Sequence, residues 1–181
     1  MNLSGGFFFL FDTLVNLYLY IVIARFVLQL VRADFYNPVS QFIVKATSPL
    51  LIPMRKIIPG IGGVDVASIV LLYLLVVVKF IFVGLLFGQS QLISAAIAVY
   101  ALIECASLVI NFFIFVILIM VIMSWLAMAG GGYNPVADII RQMAEPVLAP
   151  ARKIIPPMGM FDLTPMVVLL VLYFIKIVFQ L

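Results

Sequence analysis

The chain has 181 residues, 67% of them hydrophobic and 9% charged, with a formal net charge of +3. Soluble domains carry about 25% charged residues, so a water-facing globular domain is excluded and the class is integral membrane. With no histidine and one cysteine, Cys105, an internal disulfide, a Cys/His metal cluster, a Ser-His-Asp triad and a Cys-His pair are excluded too.

The N-terminus lacks a basic n-region and a small-residue cleavage site. Its apolar stretch outruns a signal-peptide core, so it reads as a retained membrane helix over about 7–31. A loop over 32–65 follows, then a second span over about 66–87. The connection 88–104 leads to a third span at about 105–128, a loop over 129–162 and a fourth span at about 163–180. Hydrophobicity resumes near Leu92. Either one long tilted helix starts there, or an interfacial piece at 92–103 precedes the span. Cys105 reads as a small apolar core residue.

A shift of 97 residues lays 37–65 on 134–162 without a gap, and 14 of the 29 positions are identical. The matches are not only aliphatic. Asn37-Pro38-Val39 meets Asn134-Pro135-Val136, and Arg55-Lys56-Ile57-Ile58-Pro59 meets Arg152-Lys153-Ile154-Ile155-Pro156. Pro49, Pro53, Gly62, Asp65 and Lys79 meet Pro146, Pro150, Gly159, Asp162 and Lys176. The expected fold is all-α: four transmembrane helices built as two parallel tandem repeats, 1–87 and 105–181, each helix, amphipathic and proline-rich loop, helix. Arg32, Lys45, Arg55 and Lys56 mark the first loop, and Arg141, Arg152 and Lys153 the second. The connection has no Lys or Arg, so the loops are expected in the cytoplasm and both termini outside.

Within each loop, Asn37 and Asn134 read as N-caps ahead of a proline in the first turn. Val39, Phe42, Ile43 and Ala46, and likewise Val136, Ile139, Ile140 and Met143, form the apolar face of a short interfacial helix. Pro49 and Pro53 are expected to end the first of these, leaving bends rather than a long helix. The Arg-Lys pairs 55–56 and 152–153 then stand at the membrane surface, where each cation near anionic lipid contributes about 1 kcal/mol. They read as an anchor or as a docking surface for a partner. Gly62 and Gly159 mark turns, and Asp65 and Asp162 read as N-caps, with Thr164 competing in the second unit. A salt bridge from either aspartate to its Arg-Lys pair fits both capping choices. "GGGY" at 130–133 reads as a flexible turn.

Lys79 and Lys176 fall inside spans, where a basic residue costs about 2.5–3.5 kcal/mol. They are expected to snorkel to the outer headgroups with loose pairing to Asp12 or Glu104, extended by Asn16 and Asn111. Arg25 is expected to snorkel inward.

The repeated phrase "PxLxPxRKIIP…GG…D" resembles the YggT family, called YlmG in some bacteria, over nearly the whole chain. In the second unit Met160 replaces the second glycine, which makes the loops unequal. The resemblance implies a multi-pass bacterial inner-membrane protein without catalysis or cofactor. Relatives are associated with cell division, nucleoid or envelope organisation, osmotic stress tolerance and, in chloroplasts, cytochrome assembly. The expected function is a non-enzymatic scaffold or assembly factor acting through its two basic loops. The alternative is an ion or small-solute conductor using Lys79, Lys176, Asp12 and Glu104. Expected partners are the bilayer, anionic lipid headgroups and a membrane or cytoplasmic protein, with a homo-oligomer also open. Direct nucleic-acid binding is not expected.

Overall fold

The computed structural model describes residues 3–88, 95–128, 130, 132, 134–155 and 162–181. Gly159 lies outside the described residues. The element order is α1 (Leu3–Leu30), α2 (Pro38–Ile57), α3 (Val66–Leu86), α4 (Ile97–Met128), α5 (Pro135–Arg152) and α6 (Thr164–Phe179). Among the described residues the only pairing outside helices is an isolated bridge between Ile61 and Val64. It is closed by Gly62 and Gly63 at φ of 60° and 84°. Positive φ at both central residues is what a tight two-residue turn of this hand requires.

Three helices are long and apolar enough to cross a membrane: Ser4–Leu30, Val66–Leu86 and Ile97–Met128. They match the first three expected spans. The fourth segment also folds as an apolar helix, but at 16 residues α6 is shorter. A spanning helix takes about 20 residues. From Ile97 onward the third segment is one continuous helix of 32 residues. It starts at Ile97 rather than near residue 105. At about 1.5 Å per residue it outruns a hydrocarbon core of about 30 Å.

The loops depart most from expectation. Neither Pro49 nor Pro53 ends α2, which runs through both for 20 residues, and α5 runs through Pro146 and Pro150 for 18. A proline inside a helix costs about 3 kcal/mol through its missing N–H and its clash with the preceding turn. Tertiary burial of the whole inward face works against that cost. Leu51, between the two prolines, is fully buried, as is Leu148 between the corresponding pair. A buried leucine contributes about 1.5–3 kcal/mol, and helix stability in proteins rests mostly on such packing. The buried face of α2 is Ser40, Ile43, Thr47 and Leu51, so of the expected apolar face Ile43 turns into the protein while Phe42 stays on its surface. Thr47 reconciles its hydroxyl with burial by donating to the Ile43 carbonyl at 2.8 Å.

α3 packs against α1 and α4, and α6 packs on α4. α2 rests on α1 and α3, α5 rests on α4 and α6, and α5 also touches α1 and α2. The core they share includes Leu19, Val22 and Val27 of α1, Val76 of α3, Ile117 of α4 and Ile139 of α5.

Candidate functional site

Two kinds of polar cluster stand out from this apolar frame, and each occurs twice. The first lies among the helices. Lys79 Nζ donates to Asn16 Oδ1 at 2.8 Å and to Glu104 Oε1 at 3.2 Å, and pairs with Asp12 Oδ1 at 2.9 Å. An ammonium has three donors, and all three are used. Asn16 Nδ2 donates in turn to Asp12 Oδ2 at 2.8 Å. Lys79 is therefore not a snorkelling residue. Only 6% of it is exposed, because carboxylates from α1 and α4 meet it where it leaves α3.

The Lys176 cluster follows the same plan with a different charge. Lys176 Nζ donates to Asn111 Oδ1 at 2.7 Å, and Asn111 Nδ2 lies 3.4 Å from Ser107 Oγ. Asn111 stands for Asn16 and Ser107 for Asp12. Among the described residues Lys176 has no carboxylate partner, so the two lysines share depth in the sequence but not electrostatics. The i, i+4 spacing of Asp12 with Asn16 and of Ser107 with Asn111 was the signal in the sequence that these pairs share a helix face.

The second kind of cluster clasps each loop. Arg55 Nη2 donates to Asp65 Oδ2 at 2.5 Å and to Gln29 Oε1 at 3.1 Å. Ser68 Oγ donates to the same aspartate oxygen at 2.5 Å. Arg152 repeats the contact: its Nε lies 3.2 Å from Asp162 Oδ2, and its Nη1 lies 3.0 Å from Glu145 Oε2. The arginines of the two Arg-Lys pairs thus bind their own loops, while Lys56 and Lys153 stay exposed. Gln29, Ser68 and Glu145 carried no signal in the repeat, since none of the three is shared between its halves.

The aspartates divide the roles expected of them. Asp65 occupies the N-cap position of α3, but no side-chain cap bond forms there. Asp162 does accept from a backbone N–H, that of Thr164, at 2.9 Å. Thr164 begins α6 instead of capping it. Burial by itself raises the carboxyl pKa of Asp65, but the bonds from Arg55 and Ser68 outweigh it and hold the group below its ordinary value. Asp162 is lowered as well: the burial penalty is outweighed by Thr164 and Arg152. Asn37 and Asn134 cap as expected, each accepting from the N–H two residues on at 2.9 Å. Arg25, expected to reach for headgroups, is buried with its guanidinium 5.8 Å from the centre of the Phe35 ring. The loop after α1 thus brings the Phe35 ring over it.

The model of the CCB3/YggT family matches this chain twice, over residues 4–86 and 99–181. The chain belongs to the CCB3/YggT family. It is 45% identical over 174 residues to PA0392 of Pseudomonas aeruginosa, covering 95% of this chain and 87% of that protein. A Vibrio alginolyticus protein encoded in the proC 3' region is 40% identical over 170 residues, covering 92% and 89%. YggT of Escherichia coli K12 is 36% identical over 168 residues, covering 93% and 86%. All three relatives are uncharacterised. No solved structure matches the chain.

Proposed function

We propose that this CCB3/YggT chain is a non-enzymatic scaffold or assembly factor of the bacterial inner membrane. It crosses the bilayer four times as two parallel units, with the basic loops cytoplasmic and both termini outside. Its loops meet anionic lipid headgroups and a membrane or cytoplasmic protein. Organisation of division or envelope complexes, and tolerance of osmotic stress, are roles that such a scaffold would serve. The two separate stretches matched by the family model support the two-unit reading.

One observation carries the docking reading. The dipeptides Lys56-Ile57 and Lys153-Ile154 protrude at corresponding places, and both isoleucines are 82% exposed. A cation beside an unburied aliphatic side chain fits a headgroup above an acyl layer, or a partner with an acidic rim. The docking set therefore narrows to Lys56 and Lys153, because Arg55 and Arg152 are committed to Asp65 and Asp162. The alternative conductor would draw on Lys79, Asp12 and Glu104, and these satisfy one another, which favours the scaffold.

The test places a photo-crosslinker at Ile57 or Ile154 in native membranes. Lys56→Gln with Lys153→Gln should lose most of the captured lipid or protein while insertion persists on Arg32, Lys45 and Arg141. Full capture together with full complementation of a deletion strain by that double variant would sink the docking reading.

A further inference from the structure

The two halves of the chain meet through unlike surfaces. Asn37 Nδ2 donates to the Pro135 carbonyl at 2.7 Å, joining the start of α2 to the start of α5. A twofold relation between the halves would have Asn134 donate to the Pro38 carbonyl in return. Instead Asn134 Nδ2 lies 3.9 Å from Met123 Sδ in its own half, and Pro38 is exposed. The contact is heterologous, so each of its two surfaces should exist once more, uncovered.

Both do. Because Asn16 holds Lys79 and Asn111 holds Lys176, α1 and α4 correspond in that register. Val27 and Leu28 then match Ile122 and Met123, and beyond the loop Asn37 and Ser40 match Asn134 and Ala137. In the first half Val27, Leu28, Asn37 and Ser40 are 2%, 1%, 6% and 1% exposed. In the second half Ile122 is 53% exposed, Asn134 is exposed, and Met123 and Ala137 are half-buried. The first half has α5 packed on its α1 and α2. Among the described residues no element takes the corresponding place over α4 and α5. A recess of about 390 Å³ is left there, lined by Met120, Met123, Ala127, Asn134 and Ala137 among others.

The complementary surface is also free. The α5 residues Gln142, Pro146 and Ala149 stand half-buried across a groove from Leu30 and Val31. Their matches on α2 are Lys45, Pro49 and Ile52, and all three are exposed. We infer that the α4/α5 recess receives α2 of a second copy of this chain, repeating between copies the contact that α5 makes within one. A head-to-tail contact of this kind closes into a ring or extends as a row in the membrane plane. The inference rests on the two-unit reading of the chain and is independent of what Lys56 and Lys153 bind.

Cysteine pairs in a Cys105→Ser background, oxidised with copper phenanthroline in isolated native membranes because cytoplasmic thiols otherwise stay reduced, test it. Asn37→Cys with Pro135→Cys in one chain should form an internal disulfide, and failure to do so overturns the contact between the halves and the inference with it. A chain carrying Asn134→Cys, co-expressed with one carrying Pro38→Cys, should give a disulfide-linked dimer in native membranes that is absent when either is expressed alone. Ala137→Trp, which fills the recess, should abolish that dimer and leave the internal link intact. An intact internal link without the mixed dimer means that lipid or another protein covers the recess, and overturns the assembly alone. So does equal linking of the Asn134→Cys chain to itself, which marks a twofold contact instead.

Discussion

Lys79 of α3 and Glu104 of α4 form an ion pair at 3.2 Å that joins the two halves of the chain. Together with Asp12 at 2.9 Å, it gives one ammonium two carboxylates. Among the described residues Lys176, its counterpart, is held by Asn111 and meets no carboxylate. The corresponding helices share the position of the lysine and differ in whether carboxylates meet it.

Lys79→Met should strand Asp12 and Glu104 beside an apolar side chain. The carboxylates are 33% and 30% exposed, so the expected loss is less than for a fully buried pair, about 2 kcal/mol. Adding Asp12→Asn and Glu104→Gln should recover most of it, as measured by thermal unfolding in nanodiscs. Additive effects across that cycle would rule out the coupling.

Lys176→Met removes one hydrogen bond and strands no charge. The expected change is within about 1 kcal/mol, clearly smaller than for Lys79→Met in the same assay. Equal losses for the two lysines would contradict the asymmetry of their partners.

The loop clasps predict acid sensitivity. Asp65 and Asp162 titrate below their ordinary value in the folded chain. Each therefore contributes stability that is present above the unfolded aspartate pKa of about 3.9 and is lost as pH falls through the lower folded value. Asp65→Asn should lower stability at neutral pH and flatten the decline below about pH 4. It should do so more than Asp162→Asn, because Asp65 is 3% exposed and Asp162 36%. Unfolding against pH for both variants decides this.

Because α2 runs through Pro49 and Pro53, replacing them should strengthen it. Pro49→Ala restores a donor toward the Lys45 carbonyl, set against a gain in unfolded-chain entropy, for a net stabilisation of about 1–2 kcal/mol. If the segment were a series of bends, the substitution would leave helix content and melting temperature unchanged or lower.

Reporter fusions after Leu181 and within 88–104 are expected to report the outside, and fusions near Gly60 and Gly131 the cytoplasm. The reverse pattern would remove the basis for cytoplasmic partners.

Much of this molecule follows from local chemistry. Membrane class and the first three spans come from runs of apolar residues, and the Asn37 and Asn134 caps come from a side chain meeting an N–H two positions away. Those properties need only the neighbouring chain, so the sequence alone determined them. Which charges meet was a different matter. The repeat drew attention to Arg55-Lys56 and Arg152-Lys153 as equal pairs, but only packing decided that the arginines turn inward to Asp65 and Asp162 while the lysines face out. Only packing carried α2 past two prolines, since the burial of its inward face is supplied by distant residues. The same holds for Lys79 and Arg25, both expected to snorkel. A long cation goes wherever a partner desolvates it at least cost, and that partner is chosen by which helices lie side by side.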